Sequence, residues 1–137
     1  MNRRLLVAIA VALMVGILAM PALGLAAPSQ CPHFSCTDLT SGGVTPIRCP
    51  NPLNGTCYNV HWTTRSETDI VGFNVIFLDC NKGTRTQSNT FLIACSGCTD
   101  GSSQSYSFVA TQKPNDHLRY YIEVVHVFGG TTTCGPV

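Results

Sequence analysis

The sequence predicts an all-β protein, a disulfide-stapled sandwich of about seven strands after an N-terminal export signal. Short runs of alternating apolar and polar residues recur after residue 43 and are bounded by turn residues. No sustained helical period follows the signal. All eight cysteines lie after residue 30, an arrangement typical of a small exported domain in an oxidising compartment.

Residues 1–26 have the three parts of a signal peptide. Arg3 and Arg4 supply the positive charge, residues 5–20 are apolar, and Pro21 is followed by small residues. The uncharged run from Leu5 to Ala27 is also long enough to span a bilayer core of about 30 Å. The sequence therefore favours a cleaved signal and leaves an uncleaved membrane anchor as the alternative.

The rest of the chain divides into a short extension and one domain. Residues 27–43 are rich in Cys, Pro and Ser, show no periodicity and predict a loop-like extension. Residues 44–137 predict the sandwich itself, and about 110 residues after the signal fit a single domain. A domain of that size buries a core without help, so we expect the disulfides to add stability to a competent fold.

Alternation and turn residues place the strands. The predicted strands are Val44–Arg48, Thr56–Thr63, Val71–Leu78, Thr90–Ala94, Ser105–Ala110, Leu118–Phe128 and Thr131–Cys134. The residues predicted to face the core are Tyr58, Val60, Trp62, Phe73, Val75, Phe77, Tyr106 and Phe108. Outward apolar residues, namely Ile76, Leu78, Val125 and Val127, predict either a contact patch or a surface covered by the N-terminal extension.

The charge pattern argues against two classes of partner. Of the eight Lys and Arg residues, two are Arg3 and Arg4, which leaves six against seven Asp and Glu. Because no basic patch exists, nucleic acid and anionic membrane are poor partners, and we expect no membrane contact beyond the signal or anchor.

Spacing alone does not fix the disulfide pairing, because eight cysteines allow roughly a hundred connectivities. We expect Cys49–Cys57, since the two flank the turn at residues 51–55 like rungs of a hairpin. Cys80 paired with Cys95 or Cys98 would close the next strand pair, and Cys31–Cys36 would be local. Cys134 would take the remaining partner and tie the last strand to the adjacent loop.

From Val60 to Val137 the sequence resembles a fibronectin type III-like domain of bacterial secreted and surface proteins. The residues that carry the resemblance are Val60–Asp69 with its Trp62 and its Ser-Glu-Thr-Asp loop, Gly72–Val75, Ser105–Phe108, Tyr120–Val125, Gly129 and Gly135–Val137. The resemblance implies an immunoglobulin-like seven-stranded sandwich with adhesion, spacer or receptor roles. It also implies that Glu67 and Asp69 organise backbone hydrogen bonds of their loop. The eight cysteines depart from that family, whose domains usually lack them.

Three residue patterns in the sequence could form a reactive or metal-binding site. Cys95-Ser96-Gly97-Cys98 is a C-x-x-C pair, but it lies in a Gly/Ser loop without the helix that activates a redox thiol, so disulfide partners are expected. A zinc site could draw on cysteines plus His33, His61, His117 or His126. The acidic residues, namely Glu67, Asp69, Asp79, Asp100, Asp116 and Glu123, form no catalytic motif, and no nucleophile elbow occurs.

We therefore expect no catalytic, cofactor or metal residues and no cofactor. The expected function is a secreted, periplasmic or surface-associated binding or adhesion module for an unknown protein or glycan. The alternatives are a small secreted enzyme, either a thiol redox protein using Cys95 and Cys98 or a hydrolase, and an inhibitor or effector with a disulfide-pinned Cys80–Cys98 loop. Asn54-Gly55-Thr56 is a possible glycosylation site on a predicted turn.

Overall fold

A computed structural model describes residues 30–137, so the predicted signal peptide lies outside the described residues. The strands are β1 (Leu39–Arg48), β2 (Thr56–Thr64), β3 (Ile70–Asp79), β4 (Thr84–Gln87), β5 (Ile93–Ala94), β6 (Ser105–Ala110), β7 (Leu118–His126) and β8 (Thr131–Cys134). The described part of the chain contains no helix, and hence none long and apolar enough to span a membrane. The all-β prediction is confirmed.

The strands form two antiparallel sheets. The smaller has the order β1-β2-β6, and the larger has the order β4-β3-β7-β8, with β5 also paired to β3. β4 and β5 share one edge of β3, since β4 pairs with Ile76–Asp79 and β5 with Gly72 and Phe73. Residues 88–92 leave the ladder between them, and Asn89 fills the gap by accepting the Val75 N–H at 2.7 Å.

The core lies between the two sheets, as the alternation predicts. Trp62 and Val60 of β2 face Phe73 and Val75 of β3, and all four side chains are buried. Trp62 stacks on Tyr106 at 5.5 Å between ring centroids and meets Phe73 edge-on at 5.6 Å. Each aromatic side chain buries roughly 150–250 Å², so this cluster supplies much of the apolar burial that opposes chain entropy.

Apart from shifts of one or two residues at strand ends, the strand prediction differs from the structure in three places. β1 begins at Leu39 rather than Val44, because residues 39–43 pair with β2 despite their Ser and Gly content. β4 was not predicted, since its four residues are all exposed at the sheet edge and show no apolar alternation. Thr90–Ala94 shrinks to Ile93–Ala94, because the preceding residues belong to the looped-out segment around Asn89.

The disulfides are Cys31–Cys80, Cys36–Cys134, Cys49–Cys57 and Cys95–Cys98, and the described residues include no free cysteine. The hairpin prediction Cys49–Cys57 is correct. The predictions of Cys31–Cys36, of Cys80 with Cys95 or Cys98, and of Cys134 with the partner left over are wrong. The physical reason is that residues 31–36 run along the larger sheet, where Cys31 reaches the end of β3 and Cys36 reaches β8. Four disulfides indicate an oxidising compartment such as the outside of the cell.

Candidate functional site

A buried carboxyl group joins two loops and two strands at one end of the sandwich. Glu67, in the loop between β2 and β3, is fully buried. Its Oε1 accepts hydrogen bonds from Thr64 Oγ1 at 2.9 Å and from the Tyr106 hydroxyl at 2.7 Å. Its Oε2 accepts from the Gly97 N–H at 2.6 Å and from the same Tyr106 hydroxyl at 2.8 Å. We call these four residues the Glu67 junction.

The Glu67 junction explains why a charged residue is tolerated in the interior. Burying a carboxylate is costly unless hydrogen bonds replace its water, and here two hydroxyls and one backbone N–H do so. Burial raises the pKa of the Tyr106 hydroxyl above its ordinary value; the hydrogen bond that the hydroxyl accepts from the Ser96 N–H opposes the rise, and the hydrogen bond to Glu67 adds to it. Tyr106 therefore keeps its proton and remains a donor at neutral pH. The resemblance implied that Glu67 organises backbone hydrogen bonds of its own loop, but the backbone N–H that its carboxylate accepts belongs to Gly97 in the Cys95–Cys98 loop.

The Cys95–Cys98 disulfide lies directly beside Glu67. The carboxylate oxygen and the two sulfur atoms all lie within 4.8 Å of one another. An ionised carboxylate at that distance would destabilise a thiolate, which is the nucleophilic form of cysteine. The surroundings thus oppose the activation that a redox-active pair requires.

A second group of possible metal ligands comprises Cys36, Asp38 and Cys134. Asp38 also approaches His126, with Oδ2 3.9 Å from Nε2, and that ring nitrogen lies 2.8 Å from Thr132 Oγ1. Neither three-residue group among residues 30–137 contains a histidine, so the structure does not assemble the cysteine–histidine combination considered for zinc. In both groups the cysteines are disulfide-bonded and offer no thiolate ligand.

The acidic residues mostly have local structural contacts. Asp79 accepts backbone N–H groups from Asn81 and Lys82 in the β3–β4 turn. Asp100 accepts from Ser102, and this hydrogen bonding lowers the pKa of its carboxyl group. Glu123 accepts from Asn74 at 3.1 Å and from Arg85 at 3.0 Å. Asp79 and Asp100 thus stabilise turns, and Glu123 binds side chains of β3 and β4. Asn54 is exposed on the β1–β2 turn, where a sugar would be accessible.

Exposed apolar side chains flank β3 on both of its edges, in the segment before β5 and in the turn after β7. Leu92 lies over Gly72, where an added Cβ would be 2.9 Å from Leu92 Cγ, and the Val127 N–H donates to the Asp69 carbonyl at 2.9 Å. Phe91 is 83% exposed and Phe128 is 89% exposed. We call the following residues the phenylalanine patch: Val71, Phe91, Leu92, Val127 and Phe128.

The phenylalanine patch only partly matches the predicted outward surface. Val127 belongs to it, but Ile76 is buried, because Phe34 of the N-terminal segment packs on the neighbouring Tyr121 with ring centroids 5.7 Å apart. For Ile76, the second of the two expectations is therefore correct: the N-terminal extension covers its side chain. The exposure of Phe91 and Phe128 was not predicted, because the sequence placed them in the strands Thr90–Ala94 and Leu118–Phe128, whereas both lie outside the observed strands.

Comparisons with known proteins give no relative. No protein-family model matches the chain, and neither the curated proteins nor the solved structures contain a match.

Proposed function

We propose that this protein is a non-enzymatic binding module, secreted or held at the cell surface, which engages a protein partner through the phenylalanine patch. The observation that carries the proposal is the exposure of Phe91, in the segment before β5, and of Phe128, in the turn after β7. Two almost fully exposed phenylalanines are costly in water, and aromatic side chains are enriched where protein surfaces meet. A partner that covered both rings would remove their apolar surface from water, and that burial would favour binding.

The position of the patch supports the same function. Cys31 is bonded to Cys80 just beyond the end of β3, whereas Val71, Leu92 and Val127 of the patch lie near the start of that strand. A domain tethered through residues before Cys31 would therefore present the patch away from its attachment. This arrangement suits an adhesion-type module, whether the N-terminal segment is retained as an anchor or removed.

The proposal includes the fibronectin type III-like fold that the sequence resembles. A three-stranded sheet facing a five-stranded sheet, in which β4 and the short β5 share one edge of β3, is compatible with that sandwich. The four disulfides have no counterpart in the family that the sequence resembles, whose domains usually lack cysteine.

The competing functions find less support in the geometry. Glu67 disfavours a thiolate at Cys95 or Cys98, which weakens the redox alternative. Cys80 is bonded to Cys31, so the segment from Cys80 to Cys98 is not closed by a bridge of its own as the inhibitor alternative supposed.

A capture experiment tests the proposal. The wild-type domain, the double variant Phe91→Ser/Phe128→Ser and the control Val109→Ser are immobilised and exposed to extracts and surfaces of the producing cells. Val109 is a suitable control because it is a 42%-exposed apolar residue of the other sheet. We expect a protein retained by the wild type and by Val109→Ser but lost from the double variant. Equal retention by all three, or retention of glycan alone, would refute the proposed mode of binding.

A further inference from the structure

The first residues that the structure describes form a strap across the outer face of the larger sheet. The strap, residues 31–36, is bonded at one end through Cys31–Cys80 and at the other through Cys36–Cys134. Between these bridges Phe34 exchanges two backbone hydrogen bonds with Gly135, at 2.6 and 2.9 Å. The Tyr121 hydroxyl donates to the Pro32 carbonyl at 2.7 Å. The strap is thus held at its ends and in its middle.

A cavity of about 260 Å³ lies between the strap and the sheet. Its apolar lining comes from Pro32 and Phe34 of the strap, Ile76 and Leu78 of β3, and Tyr121 of β7. The two disulfides fix the spacing between strap and sheet, so the cavity is preformed. Preformed concave sites with apolar walls and few polar groups are the usual form of small-molecule sites in proteins.

Arg85 is the charged residue among those that line the cavity. Its Nη2 donates to Glu123 Oε2 at 3.0 Å and lies 3.4 Å from Thr133 Oγ1. Glu123 does not line the cavity, so it positions the guanidinium without occupying the space. Nε and Nη1 have no hydrogen-bond partner among residues 30–137. They leave part of the donor fork free for a carboxylate, which guanidinium groups bind in bidentate fashion.

We propose that this cavity binds a small amphipathic carboxylate, with its apolar body between Phe34, Ile76 and Tyr121 and its carboxylate on Arg85. At about 30 Å³ for each water-sized group, the volume holds a body of roughly eight or nine carbon atoms. This site is separate from the phenylalanine patch, so its ligand is additional to the protein partner proposed above. The charge on Arg85 selects the acid over the alcohol or amine of the same chain length.

Titration of the disulfide-intact domain with octanoate tests the proposal, with amide and methyl NMR shifts as the readout. We expect saturable shifts centred on Ile76, Leu78 and Tyr121. Octylamine should give no such shifts, and 1-octanol should bind at least tenfold more weakly than octanoate. Absence of saturable shifts with octanoate, or equal affinity for the acid and the alcohol, would overturn the proposal without any variant being needed.

Two variants separate recognition by Arg85 from general electrostatics. Arg85→Gln should weaken octanoate binding at least tenfold. Arg119→Gln should weaken binding at most about twofold, because Arg119 lies beside Leu78 and acts on Tyr121 only through its charge, and does not line the cavity. Equal weakening by both variants would show that octanoate responds only to overall charge and would overturn the role of Arg85. Each variant's NMR spectrum reports its folding in the same experiment.

Discussion

Tyr106 donates its hydroxyl to both oxygens of the Glu67 carboxylate, at 2.7 and 2.8 Å. Tyr106 belongs to β6 in the smaller sheet, and Glu67 belongs to the loop that carries the chain from β2 to β3 in the larger sheet. The pair therefore ties the two sheets together at the end where the phenylalanine patch lies. The Gly97 N–H extends the same connection to the Cys95–Cys98 loop.

Glu67→Gln should destabilise the domain substantially, because the amide loses charge-assisted hydrogen bonds and turns a donor toward existing donors. Hydrogen bonds to charged groups contribute roughly 1.5–3 kcal/mol, and we expect a loss of that size in the free energy of unfolding. Denaturant unfolding of the oxidised protein measures it. Asp69→Asn is the control, since Asp69 is exposed two residues along the same loop. If the two variants lose the same stability, the Glu67 junction does not hold the loops together.

The Cys36–Cys134 and Cys49–Cys57 disulfides should differ in how much they stabilise the folded domain. Cys36–Cys134 spans 98 residues in sequence and Cys49–Cys57 spans 8. Because a longer closed loop removes more entropy from the unfolded chain, replacing the first pair by serines should cost roughly 4–5 kcal/mol and the second roughly 2–3 kcal/mol. Denaturant unfolding of the two double variants checks the order. A greater loss from the hairpin pair would contradict it.

The sequence predicted most of the strands and one local disulfide, but not the disulfides that join distant parts of the chain. β6 was predicted with its observed bounds, and β2, β3 and β7 nearly so, because their alternating apolar residues face the core. β8, whose sequence is Thr-Thr-Thr-Cys, was predicted from the Gly129-Gly130 turn that precedes it. Cys49–Cys57 followed from a hairpin, which is a local feature. The partners of Cys31 and Cys36 depend on the path of the strap over the larger sheet, and no local pattern encodes that path.

The candidate site was harder to predict for a similar reason. Glu67 lies in a Ser/Thr-rich loop that reads as solvent-exposed, and its burial results from Gly97 and Tyr106, which are 30 and 39 residues away in sequence. The resemblance to the fibronectin type III-like family did imply a role for Glu67 in backbone hydrogen bonding. It did not imply that the partner would lie in the C-x-x-C segment.

Alkaline pH should destabilise the domain through Tyr120. Burial raises the pKa of its hydroxyl from 10.0 to about 12, and the hydroxyl donates to the Gln112 carbonyl at 2.7 Å. The folded state therefore holds this proton more tightly than the unfolded state. The resulting stability is present below pH 10 and is lost as the pH rises toward 12.

Ultraviolet titration of tyrosinate, combined with unfolding measurements, checks the contribution of Tyr120. The folded protein should contain a tyrosine that ionises well above the unfolded chain, and Tyr120→Phe should remove that step. The variant's free energy of unfolding should also fall less steeply between pH 10 and pH 12. If Tyr120→Phe still shows the high-pH ionisation step, that step belongs to another tyrosine and the prediction is wrong.

The most direct test of the proposed function places a photo-crosslinking residue in the phenylalanine patch. Benzoylphenylalanine is introduced at Phe128 in one protein and at Val109, on the other sheet, in a second. Both are expressed in the producing cells and irradiated, and the crosslinked products are identified by mass spectrometry. We predict one dominant protein adduct from position 128 and none from position 109. Identical adduct patterns from both positions, or an adduct from position 109 alone, would contradict a binding role for the patch.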